Sequence, residues 1–304
     1  PAADGRLSIA AAALGRFGTE AVQAHALGAI SEQRYLAAEY SREDATVRVE
    51  NGGTGDVALF LESPCGGGPA DTLRLSRGRI QACVTFRNRY TGETGVARAL
   101  PQADAFGYFT FFDAGNPEVF VKALDFGAQR PYLVFYGGLT DFEYTVRVVD
   151  DETGQSLAFT KPAGSFGGGA DNVTLLHAPA AGTGRAPESE ELLAADATSL
   201  DLSRGEVRVT VSWRDPYSGL RGNAFALPQQ DHFGFFYFAD RNNPEVFVKV
   251  LDFGADRPYL VFYAGLTDFE YTVTYSVLRT GQTISFTKPA GTFAGGADGA
   301  TLLH

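Results

Sequence analysis

The chain has 304 residues, a formal net charge of -11, 44% hydrophobic residues, and 24 Phe and 13 Tyr beside one Trp. The acidic balance excludes sequence-independent nucleic-acid binding, which needs basic patches, and disfavours an anionic membrane surface; it suits solubility or divalent-cation binding. No apolar run reaches the roughly 18–20 residues of a membrane span, since the stretch Ile9 to Leu14 is short and Arg16 follows it.

The chain opens at Pro1 and contains no Met. This reads as a mature product after removal of a secretory signal, so a secreted, extracellular or cell-surface location is expected. Residues 1–45 are Ala-rich. Val22, Ala26 and Ile30 recur at four-residue spacing, and Ser31 to Glu39 reads as a helix. The alternative is an extended arm that packs on a neighbouring domain or subunit.

Residues 46–62 read as a β-hairpin. Thr46 to Glu50 alternates, Asn51-Gly52-Gly53-Thr54-Gly55 tolerates positive φ, and Val57 to Leu61 is the second strand. Cys65 and Cys83 follow; their counterparts in the second half are Leu192 and Thr210. There is no CxxC and no set of nearby metal ligands, so a local disulfide is the leading reading, with two buried free thiols as the alternative. A closed loop of this size stabilises by about 3 kcal/mol in the chain-entropy model, and a disulfide agrees with secretion.

Residues 71–177 and 198–304 align without a gap at an offset of 127, with about two-thirds of positions identical. Each copy is therefore one folding unit of a tandem array. The domains are expected as 46–177, with the hairpin leading a repeat core of 71–177, and 198–304. In the first copy, strand signals fall near 73–76, 80–87, 107–112, 118–125, 132–137, 142–149 and 156–160. Short strands at turn-bounded intervals predict an all-β protein of two tandem immunoglobulin-like β-sandwiches. Strand 118–125 carries Val119, Val121 and Ala123 on one face and the mixed set Glu118, Phe120, Lys122 and Leu124 on the other. The mixed face suits packing on a neighbouring element. Residues 178–197 form a Pro-, Gly- and Ala-rich linker that turns acidic. Fully stretched it spans on the order of 65 Å, so the repeats need not touch.

Tyr108 to Phe112, Asn116-Pro117-Glu118-Val119-Phe120-Val121-Lys122, Leu133 to Asp141 and Thr160-Lys161-Pro162-Ala163-Gly164, each with its second copy, carry a resemblance. The repeats resemble an uncharacterised β-rich module of secreted bacterial proteins. The resemblance covers about 70% of the chain, outside residues 1–62. It implies an extracellular bacterial origin and transfers no catalytic residue.

No HExxH, GxSxG, Walker loop or GxGxxG with a following helix is present. His177 and His304 occupy the same repeat position after Thr-Leu-Leu, and His25 and His232 complete the set; strand-end histidines read as satisfied surface residues. Carboxylates are the best constellation. Asp104, Asp113, Asn116, Glu118 and Asp125 recur as Asp231, Asp240, Asn243, Glu245 and Asp252. Asp113, Asn116 and Glu118, with Asp240, Asn243 and Glu245, are the calcium candidates, because hard cations take clustered oxygen ligands. The bland reading is that Asp113 and Asn116 bond their own turns. Calcium aside, no cofactor is expected.

The clusters Tyr108 to Phe112 and Phe235 to Phe238 suit core or interface, with a carbohydrate platform as the other use. Asn172-Val173-Thr174 is a sequon absent from the second copy and reads as chance. An isopeptide cross-link needs a buried Lys, an Asn and a carboxylate together; no sequence signal brings Lys161 and Lys288 to Asp141 and Asp268. The resulting expectation is a non-enzymatic structural protein. It would be a self-assembling homo-oligomeric or polymeric subunit of a bacterial surface filament, sheath or layer, joined through its N-terminal segment or edge strands. The alternative is a monomeric adhesin or a carbohydrate- or calcium-binding module.

Overall fold

A computed structural model describes residues 68–127, 130–177 and 197–304, together with the backbone of four short strands before them. Those four are β1 (His25–Ala26) paired with β2 (Ala38–Glu39), and β3 (Val47–Asn51) paired with β4 (Val57–Leu61). The first repeat begins with a single 3-10 turn, Pro69–Asp71. It continues through β5 (Leu73–Leu75), β6 (Ile80–Arg87), β7 (Thr94–Val96), β8 (Arg98–Ala103) and β9 (Phe106–Thr110). Its remaining strands are β10 (Pro117–Leu124), β11 (Leu133–Gly138), β12 (Glu143–Asp150), β13 (Ser156–Lys161) and β14 (Gly167–Asp171). The second repeat reproduces the order. Its strands are β15 (Ser199–Leu202), β16 (Val207–Arg214), β17 (Arg221–Asn223), β18 (Phe225–Gln230), β19 (Phe233–Tyr237), β20 (Val246–Leu251), β21 (Leu260–Gly265), β22 (Glu270–Val277), β23 (Thr283–Lys288) and β24 (Gly295–Asp298).

Each repeat is two antiparallel sheets. In the first repeat one sheet runs β13-β12-β6-β5, with β7 also on β6, and the other runs β14-β11-β10-β9-β8; the second repeat matches strand for strand. Burial separates the sheets. Strand β12 alternates strictly between buried and more open positions, as does β22, so these sheets have one core face and one solvent face. Strands β9 and β19 are buried at every position, and β10 and β20 nearly so. A strand that reads apolar on both faces is covered on both.

The second cover is the other repeat. One core cluster, with Val84, Val121 and Tyr144, lies between the sheets of the first repeat, and its counterpart, with Val211, Val248 and Tyr271, lies in the second. A third cluster joins Phe106, Tyr108, Phe120 and Phe135 to Phe233, Phe235, Phe247 and Phe262. The molecule is thus four sheets deep, with the two five-stranded inner sheets facing each other. The linker's length allowed the repeats to stand apart. They do not, because separation would return this aromatic surface to water at about 1.5–3 kcal/mol for each fully buried Phe. The mixed face of strand 118–125 does pack on a neighbouring element, and the cluster at Tyr108 divides: Tyr108 faces the interface, Phe109 and Phe111 pack in the core of the first repeat, and Phe112 is exposed.

Other expectations change. The all-β sandwich architecture is present, but four consecutive strands, β8 to β11, form a meander in one sheet, with β14 returning beside β11. An immunoglobulin sandwich divides its strands as ABED and CFG, so that finer assignment does not describe this strand order; spacing along a sequence gives strands, not their pairing. Within the expected helix, Ala38–Glu39 is strand. A short isolated helix is marginal, and the rest of that segment lies outside the described residues. The hairpin at 46–62 is seen as β3 and β4, in a two-stranded sheet separate from the four large ones. Cys83 is fully buried on β6, opposite Arg147; Cys65 and the linker residues 178–196 lie outside the described residues.

Candidate functional site

The inner strand β10 carries Lys122 at its middle, inside an otherwise apolar run, and β20 carries Lys249 at the same place. Both ammonium groups point across the inter-repeat interface. Lys122 Nζ donates to Asn243 Oδ1 at 2.6 Å, to the Pro244 carbonyl at 2.9 Å and to the Leu266 carbonyl at 3.2 Å. Glu245 Oε2 lies 3.8 Å from the same nitrogen. Reciprocally, Lys249 Nζ donates to Asn116 Oδ1 and to the Pro117 carbonyl, both at 2.9 Å.

Each asparagine then turns its amide to a carboxylate two residues on. Asn243 Nδ2 donates to Glu245 at 2.7 Å, and Asn116 Nδ2 to Glu118 at 2.6 Å. The aromatic lining is reciprocal too: Lys122 lies 4.5 Å from the Phe135 ring centroid, and Lys249 lies 4.6 Å from that of Phe262. Each clasp therefore holds an amine from one repeat and a carboxamide and carboxyl from the other.

Burial governs the protonation of these groups. It pushes both lysines below the usual ammonium range, against the pull of Glu245 on Lys122 and of Glu118 on Lys249. Burial likewise pushes Glu118 and Glu245 up, opposed by Lys249 and Lys122 respectively. Taking such charges out of water costs several kcal/mol per ion, which a buried pair seldom more than offsets. Aromatic burial drives the pairing of the repeats, and the clasps fix its register.

Four calcium candidates therefore fall in two pairs, Asn243 and Glu245 at the Lys122 amine and Asn116 and Glu118 at that of Lys249. Asp113 and Asp240 stay in their turns: Asp113 Oδ1 accepts from Gly115 N, and Asp240 Oδ1 accepts from Asn242 N, each at 2.9 Å. Lys161 Nζ meets the carbonyls of Thr140 and Ser165 at 3.0 and 2.8 Å. Asp141 accepts instead from Tyr90 Oη at 2.6 Å and Arg89 Nη1 at 3.1 Å. Lys288 meets the Thr267 and Thr292 carbonyls in the same way.

The repeat histidines His177 and His304 are packed. His177 stacks on Tyr132 with centroids 4.2 Å apart and faces Asp125 at 3.2 Å; His304 repeats this on Tyr259 and Asp252. In the second copy Glu206 joins Asp252 and His304, the ligand-type atoms lying within 4.8 Å of one another. Asp252 also receives the Arg204 guanidinium at 2.7 Å, and Glu206 the Tyr259 hydroxyl.

At the outer end of the second sandwich, Trp213, Arg214, Arg221, Asn223 and Glu270 line an open groove of about 440 Å³. No helix among the described residues is long and apolar enough to cross a membrane. No protein-family model matches the chain, and neither a curated protein nor a solved structure matches it.

Lys122 and Lys249 are the residues that sequence reasoning did not single out as a site. The available signal was a lysine on the mixed face of an aromatic strand that recurs in both copies.

Proposed function

We propose that the chain is a non-enzymatic, extracellular structural protein of bacterial origin, a rigid subunit of a self-assembling surface filament, sheath or layer. The observation that carries this reading is the reciprocal inter-repeat interface, which makes two repeats one block four sheets thick. A strut that transmits load needs such a block rather than two beads on a flexible string. The lysine, asparagine and glutamate of each clasp are engaged within that interface, which supports a structural rather than a catalytic use.

The inner faces are consumed inside the chain, so subunits would join elsewhere. Among the edge strands of the outer sheets are β13 and β23, and an edge can accept a strand from another chain. The N-terminal segment is the candidate donor. A Cys65–Cys83 disulfide would secure that segment to β6 in an oxidising compartment.

Electron microscopy beside size-exclusion light scattering tests the reading. Ordered polymers are expected from the full chain, and folded monomers from a chain lacking residues 1–43. Assembly of the truncated chain like that of the full chain would refute the role given to that segment. The second reading, a glycan-binding module, is favoured by the Trp213 groove. A purely monomeric full chain that gives saturable heat with glycans, lost in Trp213→Ala, would replace the first reading.

A further inference from the structure

We propose that the two clasps form intramolecular isopeptide bonds, Lys122 to Asn243 and Lys249 to Asn116, with Glu245 and Glu118 as the proton-transfer groups. Three functional groups are needed, and each clasp holds all three. The attacking amine is in hydrogen-bond contact with the carboxamide, at 2.6 Å in one clasp and 2.9 Å in the other. One carbonyl bond, about 1.2 Å long, separates that oxygen from the carbon to be attacked. The carboxyl group bonds the nitrogen that must leave, at 2.7 Å from Glu245 and 2.6 Å from Glu118. Glu245 also reaches the amine, with its other oxygen 3.8 Å from Lys122 Nζ. It therefore spans both ends of the proton's path.

The step balances without an external reagent. Neutral Nζ adds to Cγ of the asparagine and forms a carbon–nitrogen bond. The glutamic acid protonates Nδ2, the Cγ–Nδ2 bond breaks, and ammonia leaves. The carboxylate so formed takes the surplus proton from Nζ, which restores the acid. The net change is amine plus carboxamide to secondary amide plus ammonia, once per clasp.

The site favours this chemistry. A buried lysine is biased toward the neutral nucleophile and a buried glutamate toward the acid, the two forms the step requires. The groups are fixed by folding, so the reaction is intramolecular and its entropic cost is met beforehand. The amines themselves are shielded from solvent, Lys122 and Lys249 each being about 1% exposed. Lys161 and Lys288 are internal controls: they are buried as well, but they bond main-chain carbonyls. No cross-link is assigned to them. The inference stands whether or not the chain assembles.

Intact mass under denaturing, reducing conditions is the test, run on the purified full chain held folded until its mass is constant. The expected mass lies below that of the sequence by two ammonia molecules, about 34 Da, with branched peptides joining Lys122 to Asn243 and Lys249 to Asn116. In Glu245→Gln the loss is expected to fall to one ammonia, about 17 Da, and the surviving Lys249–Asn116 bond reports that the fold is intact. Glu118→Gln gives the mirror result. A folded chain with the full sequence mass overturns the proposal. Formation of both bonds in Glu245→Gln overturns the role given to that carboxyl.

Discussion

Asp104 is among the carboxylates that recur in both copies, and its work is local. Ser76 and Arg77 have φ of 51° and 60°, a region that side chains enter at a cost. The Asp104 carbonyl accepts from Ser76 N at 2.7 Å, and its carboxylate accepts from Arg77 N at 2.6 Å. Asp231 repeats both bonds on Ser203 and Arg204. Sequence displays the residue and not its partner, so cation ligand and turn acceptor look alike. Lysines show the same limit. Burial lowers Lys161 and Lys288 to about 8, opposed chiefly by Asp141 and Asp268 respectively. The unfolded chain holds those protons until about pH 10.4. Between these values the unfolded state binds more protons, so stability rises with pH. Buried Tyr144, Tyr271 and Tyr275 are raised well above 10 by burial, so their contribution is lost once the unfolded tyrosines ionise. The melting temperature is expected to climb from pH 7 to between 9 and 10 and then to fall. A steady decline across pH 7 to 10 in a calorimetric series would contradict this assignment.

At the scale of elements, the strands written in Val, Phe and Tyr were legible. The seven expected in the first repeat occur within one or two residues of their predicted bounds. Strands β7, β8 and β14 were not, and all three lie at the edge of a sheet. Strand β8 contains Pro101, which suits only an edge. Strand β14, Gly-Gly-Gly-Ala-Asp, has no β propensity at all. Its glycines answer to crowding: a Cβ on Gly168 would lie 2.5 Å from the Tyr136 carbonyl oxygen, whereas one on Gly167 would meet nothing within 4 Å. Gly168→Ala is expected to cost about 1–3 kcal/mol, as overpacking does, and Gly167→Ala to stay within about 0.5 kcal/mol. Equal effects in chemical denaturation would show that β14 does not pack against β11 as described.

The whole molecule was half legible. Duplication gave the two units, and the double-sided hydrophobicity of 118–125 signalled a neighbour. That the neighbour is the other repeat could not be read, because the linker is long enough to permit either arrangement. What decides it is self-complementarity. Phe135 approaches Phe293 while Phe262 approaches Phe166, each with centroids 6.0 Å apart. The symmetry is broken in places: His232 reaches the Gly115 carbonyl, where the reciprocal position is Ala105. At the contact of β11 and β21, Gly137 faces Ala264, and a Cβ on Gly137 would lie 3.2 Å from that of Ala264. An alanine at position 137 as well would crowd this contact.

That contact also offers the most direct measurement of the central claim, that the repeats pair through their inner sheets. Disulfides hold their Cβ atoms about 3.8 Å apart, about 0.6 Å more than this separation. In the full chain carrying Gly137→Cys and Ala264→Cys, mild oxidation followed by peptide mapping should recover a 137–264 link within a single chain. Two thiols that stay unlinked in the folded protein and react readily with an alkylating reagent would contradict the account.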